Sequence, residues 1–339
     1  LALNMPAMQI VMYGTILSII WFGGRMIQTG GMQVGELTGF LSYVMQILNS
    51  LSMISNVFLT LTRSMASGSR ILEIIDEEVD ITDREAEAYD VKCGEIEFDH
   101  VYFRYRKDAP EDVLTDISLT ISAGSTFGII GQTGSAKSTL IQLIPRLYDA
   151  TRGEVRIDGI PVRKYPMEHL RDAIAVVLQK NTLFSGTLLE NLRWGKEDAT
   201  MEEIKKACRI ACADEFIDRL ADGYETEMGQ GGVNVSGGQK QRICIARAIL
   251  KQPKVLILDD STSAVDTATE ARIRTMLKEE LPEMTKIIIA QRISSVRHAD
   301  QILILDDGRV SDIGTHEELL ARNKIYQEIY ESQKEGAEL

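Results

Sequence analysis

Two uncharged runs at the N-terminal end constrain the fold of this chain more than any other feature. No Asp, Glu, Lys or Arg occurs from Leu1 to Gly24, and none from Leu37 to Thr62. As α-helices, such runs extend about 36 Å, which covers a bilayer core of about 30 Å with some tilt. Helices buried in a soluble core normally keep a polar face. The pair therefore reads as a helical hairpin through a membrane, with Gly30-Gly31-Met32-Gln33-Val34-Gly35-Glu36 as its turn and lipid as its surroundings. The second run continues without Pro through Arg63, Arg70, Glu73, Asp76 and Glu77. Its helix is expected to extend beyond the bilayer, and Arg63 and Arg70 mark that side as cytoplasmic. Leu1 already lies inside an apolar run, with no basic stretch or cleavage site of a signal peptide. The expectation is a chain whose N-terminal part is missing.

The rest of the chain is of another kind. Acidic residues dominate from Asp76 to Lys92, where apolar periodicity vanishes. From Gly94 the pattern alternates between strand-like and helical runs, as in an α/β fold. The strand-like runs are Ile96 to Tyr105, Phe127 to Ile130, Ile174 to Leu178, Val255 to Leu258, Lys286 to Ala290 and Gln301 to Leu305. Helical patterns cover Lys137 to Leu147, Met201 to Ala211, Gly237 to Leu250 and Thr267 to Leu281. The formal charge is 37 minus 50, or -13. No basic stripe offsets it, which argues against a nucleic-acid partner. Cys93, Cys208, Cys212 and Cys244 include no CxxC pair, and no His stands near Cys208 and Cys212 to complete a zinc site. They fit a reducing cytosol.

Chemistry enters at Gly131-Gln132-Thr133-Gly134-Ser135-Ala136-Lys137-Ser138-Thr139. The segment follows the apolar strand Phe127–Ile130 and opens a helix, the context a phosphate loop requires. Its N–H groups and the helix start would cradle phosphate oxygens. Lys137 adds a positive charge toward the β and γ phosphates, and the Ser138 hydroxyl can ligate Mg²⁺. Ala136 stands where that motif has Gly. It keeps the N–H but adds a Cβ, benign at negative φ and costly by about 1 kcal/mol or more at positive φ. Binding is expected to survive. The second signal is Val255-Leu256-Ile257-Leu258-Asp259-Asp260, a buried strand that delivers two carboxylates to a sheet edge. Asp259 would hold Mg²⁺ through water, and Asp260 would orient or deprotonate an attacking water.

These two motifs alone give only the broad class of phosphate-loop ATPases. Val235-Ser236-Gly237-Gly238-Gln239-Lys240-Gln241-Arg242 narrows it, because this chain resembles the ATPases of ABC transporters, whose signature is Ser-Gly-Gly-Gln opening a helix. The resemblance covers essentially the whole chain and implies further roles. Tyr105 matches the aromatic residue that stacks on adenine, and Gln179 the residue that reaches Mg²⁺ and the membrane domain. Thr226 to Gly232 is similar to the exporters' coupling loop, and Ser263-Ala264-Val265-Asp266 to the D-loop, with Asp266 among the nucleotide-site residues. The hairpin looks like the last two membrane helices of an exporter half-transporter. The implied organisation is a membrane domain end at 1–66, a helix extension and linker at 67–93, a nucleotide-binding domain at 94–332 and a tail at 333–339. The implied ligands are ATP and Mg²⁺. The implied setting is the plasma membrane, multi-pass, with the nucleotide-binding domain cytoplasmic. In that family two such domains pair head to tail, and each ATP lies between the phosphate loop of one and the Ser-Gly-Gly-Gln of the other, whose helix N-terminus faces the γ-phosphate.

Two departures fall on the hydrolytic machinery. The family has Glu after the strand-ending Asp, and here Asp260 is one methylene shorter. The switch His expected after Lys286 to Ala290 is Gln291, which can hydrogen-bond but cannot carry a charge or shuttle a proton. Lys137, Ser138, Asp259 and Gln179 are intact. The pattern fits one subunit of a heterodimer, with an impaired phosphate-loop site and a complete signature lent to a partner. A homodimeric exporter of slow turnover is the alternative. A non-transporting ABC ATPase is opposed by the hairpin and the acidic charge.

Overall fold

The computed structural model describes residues 4–261 and 264–335. Ser263 of the D-loop and residues 336–339 of the tail lie outside them. The chain divides into two compact units, up to Asp80 and from Ile81 onward.

The first unit is two helices, Asn4–Gln28 and Val34–Ile75. Both are long and apolar enough to cross a membrane, and their faces are almost entirely unburied. Gly30 at φ +74 makes the turn, and Glu36 reaches back to accept from the Gln33 N–H at 2.9 Å, closing the free N-terminus of the second helix. Gly23 lies against the Leu37 side chain, where a Cβ would collide. The second helix runs to Ile75 without a break.

The second unit is layered. A mainly parallel sheet has the strand order Arg309–Gly314, Gln301–Asp306, Thr126–Ile130, Thr285–Ile289, Val255–Asp259, Ile174–Val177, the first of these antiparallel. Its parallel strands read as largely continuous apolar runs because both faces are covered. Leu256 and Leu258 pack with Ile243 and Ile245 of the helix Gly237–Leu250. Val255 and Ile257 pack on the other side with Ile96, Phe98 and Ile117. Those belong to an antiparallel sheet ordered Leu114–Ile121, Ile96–Phe103, Arg152–Ile157, Ile160–Pro161. Fully burying each Leu or Ile stabilises by roughly 1.5–3 kcal/mol, so the parallel strands are the rigid part of the domain.

The expected parallel strands lie within a residue of their observed limits. The helix expected over Lys137 to Leu147 instead ends at Gln142. Pro145 cannot donate into a helix and crowds the preceding turn, so residues 143–147 run as tight turns with Arg146 at φ 52. The C-terminal helix spans Lys324–Glu335, continuing past residue 332.

Candidate functional site

Sheet register assembles the site. Ile289 lies opposite both Asp259 and Ile129, so the strand leading to Gln291 sits between the phosphate-loop strand and the strand ending in carboxylates. The Asp260 N–H donates to Ile289 O at 2.9 Å, and Ala290 N–H to Ile129 O at 3.2 Å. Four parallel strands thus deliver Gly131, Gln179, Asp259 and Gln291 at their carboxyl ends, the edge where ligands bind in open α/β sheets.

Within the loop, Lys137 Nζ donates to Gly131 O at 2.8 Å and Gln132 O at 2.7 Å, and lies 3.3 Å from Ser135 Oγ. Burial lowers the Lys137 pKa, while Asp259 and Asp260 act to raise it. A Cβ at Gly131 would strike Leu305 O and Ser135 Oγ, so only Gly fits. Thr133 and Gly134 are exposed at the loop tip. Ala136 has φ 68 and ψ 23, the left-handed region. This is the costly branch of the sequence expectation, about 1 kcal/mol above Gly. Ser138 Oγ donates to Asp259 Oδ2 at 3.0 Å, and burial pushes the Asp259 carboxyl above its ordinary range against the pull of Ser138 and Lys137. Thr139 is buried, and its hydroxyl shares a 2.9 Å hydrogen bond with Tyr105. That bond, with edge contacts to Phe103 and Tyr148, fixes a Tyr105 ring that stays half exposed.

Asp260 is held at φ 46. Its Oδ2 accepts from Gln179 Nε2 and from Gln291 Nε2, both at 3.1 Å. Burial first, and Asp259 second, raise its pKa, while Gln179, Arg292 and Lys137 oppose the shift. The expected residues Lys137, Ser138, Gln179, Asp259, Asp260 and Gln291 therefore form one cluster. Gln333 adds a contact the sequence did not signal, donating to Gln291 O and accepting from Ile293 N–H, both at 2.8 Å.

The remaining expected residues form a second group. Ser236 caps the helix Gly237–Leu250, its Oγ accepting from Gln239 N–H at 3.3 Å while its own N–H donates to Gln239 Oε1 at 2.9 Å. Ser236 and Gly237 are exposed, and a Cβ on Gly238 would come within 2.7 Å of Ala264 O. Asp266 caps the next helix, accepting from Thr269 N–H at 2.9 Å, and that bond holds its carboxyl below the usual range. Among the described residues, no hydrogen bond joins the Ser236–Gln239 start to the Lys137–Asp260 cluster.

A switch strand flanked by the phosphate-loop and carboxylate strands, beneath an antiparallel sheet and with a separate Ser-Gly-Gly-Gln helix start, is the architecture of an ABC ATPase domain, here preceded by two helices. Residues 114–263 match the model of the ABC transporter family. The ABC transporter ATP-binding protein YfiB of Bacillus subtilis is 45% identical over 337 residues, 99% of this chain and 58% of that protein. The putative multidrug export ATP-binding/permease protein YgaD of the same organism is 42% identical over 315 residues, 93% of this chain and 54% of that protein. A bacterial Atm1-family ABC exporter solved with ATP bound is 33% identical with a TM-score of 0.75, covering 96% of this chain and 57% of that one. Residues 114–263 thus form an ABC transporter ATPase domain, and the chain as a whole is similar to part of proteins that join ATP-binding and permease portions. It spans 54–58% of the length of these relatives.

Proposed function

We propose that this chain is the ATP-binding part of a membrane exporter half-transporter, that its own phosphate-loop site hydrolyses ATP poorly, and that it works beside a different half-transporter. The observation that carries the reading is the Asp260 carboxylate, whose Oδ2 is engaged by two neutral amides. Hydrolysis needs a base that takes a proton from water. Asp260 falls about 1.5 Å short of a Glu, one C–C bond, and a misplacement of about 1 Å can cost roughly a hundredfold. Neither amide can take up a proton or add positive charge.

Binding residues are complete by the same argument. Lys137 is satisfied by loop carbonyls and can turn its ammonium to a phosphate oxygen. The exposed face of the Tyr105 ring can take an adenine. Ser138 Oγ and Asp259 Oδ2 are hard oxygen donors 3.0 Å apart, and a carboxyl raised by burial is one that a cation would favour in its ionised form. The pair suits Mg²⁺, which would draw charge from the phosphate oxygens. The two apolar helices would cross the plasma membrane with the ATPase domain in the cytoplasm. The exposed Ser236 helix start, separate from this chain's own cluster, would meet the nucleotide of the partner half-transporter.

The test is nucleotide binding and turnover by the purified full chain in detergent. It should bind a fluorescent ATP analogue with Mg²⁺ and hydrolyse ATP slowly, and Lys137→Ala should abolish binding. Turnover at the rate of ordinary exporters by the chain alone would rule out the impaired site and favour a homodimer.

A further inference from the structure

The helix Lys324–Glu335 has a firm root. Tyr326 is fully buried, its hydroxyl lies 2.7 Å from His316 Nδ1, and Asn323 Oδ1 accepts its N–H at 2.9 Å. Ile325, Ile329 and Tyr330 pack against the helical core. From this base the last turns carry Gln333 to the switch segment. Its Nε2 donates to Gln291 O at 2.8 Å, and its Oε1 accepts from Ile293 N–H at 2.8 Å. A carboxamide is planar with one donor and one acceptor side. Bonding residue 291 through C=O and residue 293 through N–H, it stands in for the neighbouring strand that this stretch lacks. Ile293 is buried in the core while Gln291 and Arg292 are exposed, so the clamp ties the exposed residue 291 to a packed anchor two residues on. From the clamped backbone the Gln291 side chain reaches Asp260 Oδ2 at 3.1 Å.

We propose that Gln333 is a positioning residue for the nucleotide site: by clamping Gln291 and Ile293 it fixes the backbone from which Gln291 reaches Asp260, so the C-terminal helix sets how well this site hydrolyses ATP. The inference rests on the nucleotide-site reading above. Only Gln serves both bonds. Glu keeps the acceptor for Ile293 but loses the donor and sets a carboxylate oxygen against the Gln291 carbonyl. Ala loses both.

The experiment compares Gln333→Ala and Gln333→Glu with the parent full chain in detergent. It measures kcat and KM for ATP, binding of a fluorescent ATP analogue, and amide hydrogen exchange at Ile293. In both variants kcat should fall about tenfold or more, with KM and analogue binding within about twofold, since the phosphate and metal ligands are untouched. Exchange at Ile293 should rise in Gln333→Ala and stay slow in Gln333→Glu, which separates the donor's role from general loosening. If Gln333→Ala fails to fold, Gln333→Glu carries the test alone. Unchanged kcat in Gln333→Glu, or kcat and analogue binding lost together, overturns the proposal. A parent chain that binds no nucleotide overturns the site reading instead, and is recognised before any variant is compared.

Discussion

Gln291 donates its amide to the same Asp260 oxygen that accepts from Gln179, so the two departures that fall on the hydrolytic machinery are in direct contact across 3.1 Å. Substitutions at touching positions are not additive. Asp260→Glu lengthens the carboxylate, but the Gln291 amide still supplies neither a positive charge nor a proton acceptor. Gln291→His supplies an imidazole, but the base is still short. Asp260→Glu with Gln291→His should raise single-turnover hydrolysis at this chain's phosphate loop by about a hundredfold, more than the product of the single changes. A double variant as slow as the parent would locate the limit elsewhere, with Ala136 first in line.

Hydrolysis at this site should lose rate on the acid side earlier than a free aspartate would cause. Burial and Asp259 hold the Asp260 carboxyl above its ordinary range, and the ionised form is the one that accepts a proton. As pH falls through that raised value Asp260 becomes protonated and the rate drops. A pH profile of single-turnover hydrolysis should show this limb in the parent and lose it in Asp260→Asn, whose residual rate stays flat. A limb retained in Asp260→Asn would assign the titration to another group.

Ala136→Gly tests the phosphate loop. At φ 68 the Ala Cβ costs about 1 kcal/mol that Gly does not, against which stands only the contact of one half-buried methyl with the core. Thermal unfolding of the ATPase domain should rise by about 2–4 °C, the shift about 1 kcal/mol gives in a domain of this size. Nucleotide affinity should be equal or tighter. An unchanged or lower Tm would mean that the added freedom of Gly in the unfolded chain offsets the strain.

The two halves of the site should fail differently in the assembled transporter. Ser236→Arg places a bulky cation at the helix start that would meet the partner's nucleotide, and vesicle transport should drop to background. On the proposed reading Asp260→Asn alters a site that is already slow, and it should leave most transport intact. Equal losses, each measured beside an unaltered partner, would end the asymmetric reading.

Much of this was legible because the chemistry follows strands buried on both faces, and such strands announce themselves as apolar runs ending in a polar residue. Val255–Asp259 and Thr285–Ile289 are of this kind. The strands Leu114–Ile121 and Arg152–Ile157 were not read, because one face of each is partly solvated and polar residues interrupt the run. The left-handed φ of Ala136 could be posed from sequence only as a condition, since Ala gives no local sign of it. Gln333 left no trace at all. It lies 42 positions from Gln291, and a side chain that pairs with backbone places no demand on the residue types it holds.

The helix Val34–Ile75 has 42 residues and no Pro, a rod about 63 Å long at 1.5 Å per residue. A bilayer core of about 30 Å would account for half of it, so on the proposed reading the same rigid body would have one end among lipid tails and the other in water. By lever arithmetic, a pivot of about 10° at one end sweeps the other through about 11 Å. Without a Pro kink to absorb rotation, a modest angular change at one tip becomes a displacement of several residue lengths at the other.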